Sequence, residues 1–172
     1  MAMSRQRQHM ESSQDEGGLG DNVVKIYRCA KVVRGGRRFS FSALVVVGDR
    51  SGKVGIGYGK AKEVPMAVEK GKKIATRTMK KIGLVDGTLP HTTLGRYGAS
   101  KVVLVPASKG TGVIAGSSVR AVLELAGVKD VLTKSYGSTC PKNLVRATFA
   151  ALTGLLDREK IARLRGVSLV SA

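Results

Sequence analysis

The residues in this sequence best suited to chemistry are its cations. Arg34, Arg37 and Arg38 flank Gly35-Gly36, between the strand-forming runs "KVV" and "FSFSALVVVGD". A tight hairpin favours glycine there, because glycine reaches positive φ without penalty. Three arginines at a turn tip repel one another and add nothing to a core. Guanidinium groups, however, pair with phosphate oxygens through charge-assisted, often bidentate hydrogen bonds. A stiff two-stranded projection carrying them suits a polyanion; the other reading is a basic turn facing water. Arg50 and Lys53 border the next turn, and Lys60 and Lys62 close the third strand. Each of these four is expected either to meet phosphate or to sit solvated.

Catalytic chemistry has no comparable footing. "GIGYGKA" lacks the glycine spacing of a dinucleotide fingerprint and falls inside a strand, not at a strand-to-helix turn. No Gly-x4-Gly-Lys-Ser/Thr sequence occurs. "PASKGTGVIAGSSVRA" is a Gly/Ser-rich loop entering a helix, a place where backbone N–H groups can face an anion. It resembles the phosphate loop of small-metabolite kinases of the galactokinase and homoserine kinase group. Those enzymes are far longer and need acidic residues for Mg²⁺. Here four of the twelve acids lie in the first 22 residues and the others are scattered. Tight packing of the loop against a neighbour is the competing reading. His9 and His91 have no nearby cysteine or paired carboxylate, so no nucleophile and base can be assembled. Cys29 and Cys140 are too few and too far apart for a metal site or disulfide framework and are read as reduced packing residues. No enzyme activity, metal, cofactor or small-molecule substrate is expected.

The elements that must position the cations follow from composition and pattern. The chain has 172 residues, 42% hydrophobic, enough for a core in one domain or two small ones. Lys+Arg number 30 against 12 Asp+Glu, a formal charge of +18 that implies nucleic acid or, second, an acidic membrane surface. Aromatic residues are only 4% with no Trp, which argues against a base-stacking platform. Residues 1–22 are polar, aperiodic and net −2, and read as a flexible tail, so the remainder carries +20. No apolar run reaches the length of a membrane span and the N-terminal stretch of residues 1–22 has no apolar h-region, so a soluble cytoplasmic chain with no membrane partner is expected.

From Val23 the pattern turns to strands. Phe39, Phe41, Ala43, Val45 and Val47 alternate onto one face, Asp49-Arg50-Ser51-Gly52 reads as a type I turn or hairpin loop, and "KVGIGYGKA" is a third strand. That strand has Gly55, Gly57 and Gly59 alone on one face, which lets another backbone approach, either a helix or an RNA strand. "EVPMAVEKGKKIATRTMKKIG" reads as a helix with Pro65 in its first turn, apolar spacing through Met79 and Ile82, and Gly83 just past its end. After "LVDGTLPH" come two strands, a helix capped by Ser117 or Ser118 and ended by Gly127, another strand, a helix with Pro141 at its first position, and a short basic helix. The fold class is therefore α+β, as two small α/β sandwiches. The expected divisions are 1–22 tail, 23–85 β-β-β-α domain, 86–166 two-layer β-β-α-β-α domain and 167–172 tail.

Several stretches in one order, "KVVRGGRRFSFSALVVVGD", "GKVGIGYGKAKEVPMAVEKG", "GTLPH", "PASKGTGVIAGSSVRAVLELAGVKDV" and "KSYGSTCPKNLVRAT", closely resemble the bacterial small-subunit ribosomal protein five family over about Val23 to Gly166. The resemblance implies a first domain similar to double-stranded RNA-binding domains, which read A-form shape, 2′-hydroxyls and phosphates. It implies a second domain related in fold, not function, to the metabolite kinases. The implied role is structural: binding small-subunit rRNA where head meets body, contacting small-subunit proteins four and eight, lining the mRNA entry region and influencing decoding accuracy. Carried over by position, Arg28, Lys31, Arg34, Gly35, Gly36, Arg37 and Arg38 match the rRNA-contacting hairpin, where altered spectinomycin response also maps. Gly112 and Arg120 match the accuracy region facing protein four. Ser117-Ser118 stands where Gly-Gly or Gly-Pro is common in the family, so contacts there are expected to differ.

Overall fold

The computed structural model describes residues 18–167; the expected tails fall outside it at residues 1–17 and 168–172. In chain order the elements are β1 (Gly20–Val33), β2 (Gly36–Gly48), β3 (Lys53–Ala61), α1 (Val64–Arg77), β4 (Lys80–Lys81), β5 (Thr93–Tyr97), β6 (Ser100–Pro106), β7 (Val113–Ile114), α2 (Ser117–Ala126), β8 (Val131–Gly137), α3 (Pro141–Thr153) and α4 (Arg158–Arg165). They form two four-stranded sheets, ordered β1-β2-β3-β4 and β5-β6-β8-β7. The first is antiparallel throughout; in the second only β7 runs parallel to its neighbour β8. β1 begins at Gly20, three residues before the expected Val23.

The run Ala43–Val47 is apolar without a break because both of its faces are covered. Ala43, Val45 and Val47 pack with Ala67 and Ala75 of α1. Leu44 and Val46 point the other way, into a larger core shared with Val102, Leu104, Val122, Val131, Val145 and Leu152 of the second domain. A single sheet is thus buried between its own helix and a neighbouring domain.

The glycine face of β3 receives a helix. A methyl group at Gly55, Gly57 or Gly59 would overlap the carbonyl oxygens of Ala75, Gly71 and Ala67 respectively, so α1 lies almost flush on the strand. Gly95 of β5 makes the same provision for Ala147 of α3.

Two boundaries differ from expectation. α1 ends at Arg77, and Met79 and Ile82 are not on it. The Thr78 hydroxyl donates to the carbonyls of Ile56 (2.9 Å) and Ala75 (3.1 Å), fastening the chain to β3 as it leaves the helix. Lys80-Lys81 then pairs with Lys53 and Val54 as β4, so the first domain is β-β-β-α-β. In the second domain the two-residue β7 adds a strand before α2. The cap of α2 is Gly116, with Ser117 already helical and Ser118 buried, whereas Gly127 ends it in the left-handed conformation as expected. Cys140 caps α3 and Pro141 opens it.

The domains are fixed to each other at the turn after β2. Arg50 has φ of 55°, which rules out a type I turn there. Asp49 Oδ1 instead accepts the amides of Ser51 and Lys53, each at 2.8 Å. Held in this way, the turn directs the amides of Arg50 and Gly52 to the carbonyls of Leu125 and Ala126, both at 3.0 Å. These are terminal carbonyls of α2, which have no partner within their own helix.

Candidate nucleic-acid interface

The expected projection is present. β1 and β2 pair continuously from Gly20↔Gly48 to Val33↔Gly36 apart from one bulge between Val23 and Lys25, but β3 accompanies β2 only as far as Phe41↔Ala61. Beyond that pair the hairpin stands as a two-stranded finger with almost no core of its own. Arg28, Lys31, Arg34, Arg37, Arg38 and Phe39 are all exposed. The turn itself is Arg34-Gly35, and only Gly36 has the positive φ ascribed to both glycines, at 134°. Nothing lies within 4 Å of a methyl group built there, so glycine is required for conformation and not for space.

Register distributes the cations over both faces of the finger. Arg28 stands opposite Phe41, Ala30 opposite Phe39 and Val32 opposite Arg37, all on the α1 side. The Arg28 guanidinium lies 4.8 Å from the Phe39 ring centroid, which holds it over a half-exposed apolar surface. Lys31 opposite Arg38 occupies the other face. Lys60, paired with Ser42, and Lys62 lie at the finger end of β3 and join this group. Arg50 and Lys53 do not: β2 spans about 40 Å at the usual rise, and they sit at its far end. There the Arg50 backbone serves the domain junction described above.

Gly112 and Arg120 lie in the second domain, in the loop before β7 and on α2 respectively. Gly112 has φ of 77°, so any side chain there strains the backbone as well as altering the surface. Asp130, which the sequence reading passed over, organises this loop. It is buried, and its Oδ1 accepts the amides of Gly110 (3.0 Å) and Gly112 (2.8 Å). Its own carbonyl accepts the Thr88 hydroxyl at 2.7 Å. Two amides that a nucleotide phosphate would need are therefore occupied by the chain's own carboxylate, which argues against the kinase-like reading. A methyl group built at Gly110, Gly112 or Gly116 meets nothing within 4 Å, so the loop is not packed tightly against a neighbour either. A lone acid after "LAGVK" gave no local sign of this, because its partners lie 18 and 20 residues upstream.

Between the domains, three further residues escaped the sequence reading. Lys142, at the start of α3, places its ammonium 4.3 Å from the Tyr58 ring centroid. Lys25 projects from β1 on the same side of the sheet, its ammonium 6.0 Å from the Tyr27 ring. The Tyr27 hydroxyl is shielded and has no hydrogen-bond partner. Burial, and after it the nearness of the ionisable Cys140 and Tyr58 side chains, raises that phenol above its ordinary value. The usable signal was an absence of acids: none occurs between Asp21 and Asp49, nor between Asp130 and Asp157.

His91 has a structural placement. Its Nδ1 lies 3.0 Å from the Thr92 carbonyl, and its Nε2 accepts the Leu156 amide at 3.3 Å. Among the described residues no three His, Cys, Asp or Glu side chains are grouped to hold a metal ion, and no helix is long and apolar enough to cross a membrane.

Residues 19–83 match the family described as ribosomal protein S5, N-terminal domain, and residues 95–165 match ribosomal protein S5, C-terminal domain. A protein of Rhodopirellula baltica is 60% identical over 153 residues, covering 89% of this chain and 86% of its own. One from Syntrophobacter fumaroxidans is 57% identical over 157 residues, covering 91% and 93%. One from Photobacterium profundum is 50% identical over 160 residues, covering 93% and 97%. All three carry the name small ribosomal subunit protein uS5.

Proposed function

We infer the role of this chain from its kinship: it belongs to the ribosomal protein S5 family, and as such is a structural, non-enzymatic constituent of the small ribosomal subunit. Within that role, we propose that the chain binds rRNA at the junction of head and body. The observation that carries this reading is the finger, which holds Arg34, Arg37 and Arg38 clear of any core on a paired, register-fixed hairpin. Surface cations held by paired strands lose little freedom when they meet phosphates, and the phosphates offset their mutual repulsion. Lys31, Lys60 and Lys62 extend the same contact, with Arg28 on its opposite face.

The second domain is assigned the protein contacts. Its glycine loop, shaped by Asp130, and the exposed Arg120 on α2 face protein four in this reading and tune decoding accuracy. Contacts with protein eight and with mRNA near the entry region complete the proposed set of partners, in the cytoplasm. Arg50 and Lys53 are proposed as a second, separate rRNA contact, because the length of β2, about 40 Å, divides them from the finger tip. The division of the chain is proposed at residues 85 and 86, between β4 and β5.

A tagged copy of the chain should sediment with small subunits, and chemical footprinting of those subunits should show protected nucleotides at the head–body junction that reappear when the finger arginines are replaced by glutamine. Cofractionation with protection elsewhere would keep the chain in the subunit but reject this placement.

A further inference from the structure

We propose that the second domain completes the RNA-binding surface: the start of α3, with Lys142, and the cation-bearing face of the first sheet form one notch that takes the phosphate backbone of an RNA strand. The inference rests on the rRNA-binding reading above and adds a second wall, and a second domain, to the contact.

The first wall follows from register. Lys31 pairs with Arg38, Cys29 with Ser40, Tyr27 with Ser42 and thereby Lys60, and Lys25 with Leu44 and thereby Tyr58. Partners directly opposite share a face, so Lys25, Lys31, Arg38 and Lys60 all project on the side of Leu44, which is the side of the second domain. From the row of Tyr58 to the row of Arg38 this face extends about 20 Å.

The second wall rises where the second domain stops covering the sheet. Lys142 is seated on Tyr58, and Cys140, the cap of α3, is exposed two residues before it. The aromatic seat limits the freedom of the ammonium, so less is lost when it meets an anion.

Charge identifies the occupant. The stretches that build both walls, residues 25–44, 58–60 and 140–142, contain no Asp or Glu. The ion pairs among the described residues are Lys72–Asp21 and Lys73–Glu69, and neither uses a cation of the notch. Such a cluster is self-repelling until a polyanion fills it. The Tyr27 hydroxyl at the seam is also the only buried side-chain polar atom among the described residues without a partner. A protein partner would need a densely acidic surface to match this face, whereas an RNA backbone supplies that charge in any sequence.

The test uses the full chain and purified small-subunit rRNA, with affinity measured over a range of salt. Lys142→Gln should make the salt slope shallower by about 0.7–0.9, the value for one phosphate contact, and Lys142→Glu by more. At low salt the glutamine variant should bind roughly ten- to a hundredfold more weakly, since a charge-assisted hydrogen bond contributes about this much. Lys134→Gln, the same charge change on the uncovered face of the second sheet, should leave slope and affinity unaltered. Both glutamine variants should melt with the native chain. In a Cys29→Ser background, a photoreactive group on Cys140 should cross-link to rRNA in assembled subunits.

If Lys142→Gln binds like the native chain while replacement of the finger arginines still weakens binding, the notch is rejected and the finger stands. If neither change matters, the rRNA-binding reading itself fails. Cross-linking from Cys140 to a ribosomal protein alone would assign the notch to a protein partner and overturn the proposal.

Discussion

β2 passes through two environments, and the contrast between them separates what holds this molecule together from what it uses. From Ala43 to Val47 every side chain is buried, alternately beneath α1 and beneath the second domain. From Gly36 to Phe39 none is. Both halves are strand paired antiparallel to β1, the base with one bulge between Val23 and Lys25. Burial of apolar surface, at about 25 cal/mol per Å², stabilises the base. The finger contributes almost nothing of that kind, so its sequence is free to be three arginines and two glycines. A change in the base should therefore act on folding and reach function only through it, and a change in the finger should do the reverse.

The largest effect is expected at the base. Gly57→Ala drives a methyl group into the Gly71 carbonyl, where the obstacle is helix backbone and cannot rotate away. Overpacking of this kind costs about 1–3 kcal/mol or more, and thermal unfolding should register it as a loss of roughly 3–10 °C in melting temperature. A melting temperature equal to that of the native chain would mean that α1 does not lie flush on β3. RNA binding by the fraction still folded should be unchanged.

Asp130→Ala should come next and stay local. It strips the Gly110 and Gly112 amides of a buried carboxylate acceptor, at a cost of about 1.5–3 kcal/mol for hydrogen bonds to a charged group. Hydrogen exchange at those two amides should quicken, with exchange along β2 unaltered except by the global loss. Slow exchange at Gly110 and Gly112 in the variant would show that the loop holds its shape without Asp130.

A smaller change is expected at the one finger position under conformational constraint. Gly36→Ala places a side chain at φ of 134° with nothing to collide with, so strain alone should cost about 1 kcal/mol. The tip would relax by shifting, and rRNA affinity should fall together with the melting temperature. Unchanged stability would mean that the turn adopts another conformation at no cost.

Much of the base and finger was legible because the signals are local. Gly35-Gly36 between two strand runs marks the hairpin, three alternating glycines mark the close approach of a helix, and Gly127 and Pro141 mark helix ends. The unbroken apolar run Ala43–Val47 also carried information that alternation alone missed: a strand that is apolar on both faces is covered on both. What escaped is set by partners distant in sequence. α1 stops at Arg77 because Thr78 bonds to Ile56, 22 residues earlier, although the apolar spacing continues through Met79 and Ile82. Asp130 and Lys142 each look like an isolated surface charge until the fold brings the glycine loop to one and Tyr58 to the other. The turns at residues 34–35 and 49–52 bound the same strand, so Arg50 and Lys53 lie at its opposite end from the finger tip, a consequence that the grouping of all these cations as phosphate contacts passed over.

The central claim is that the finger arginines bind and do not stabilise. Its most direct test replaces Arg34, Arg37 and Arg38 together by glutamine, leaving Gly35 and Gly36 in place, and follows both melting temperature and binding to an rRNA fragment from the head–body junction across a range of salt. The account predicts the native melting temperature, weaker binding, and a salt slope shallower by about two to three. A variant that bound the fragment with native affinity and native slope would reduce the finger to a solvated basic turn and contradict the account.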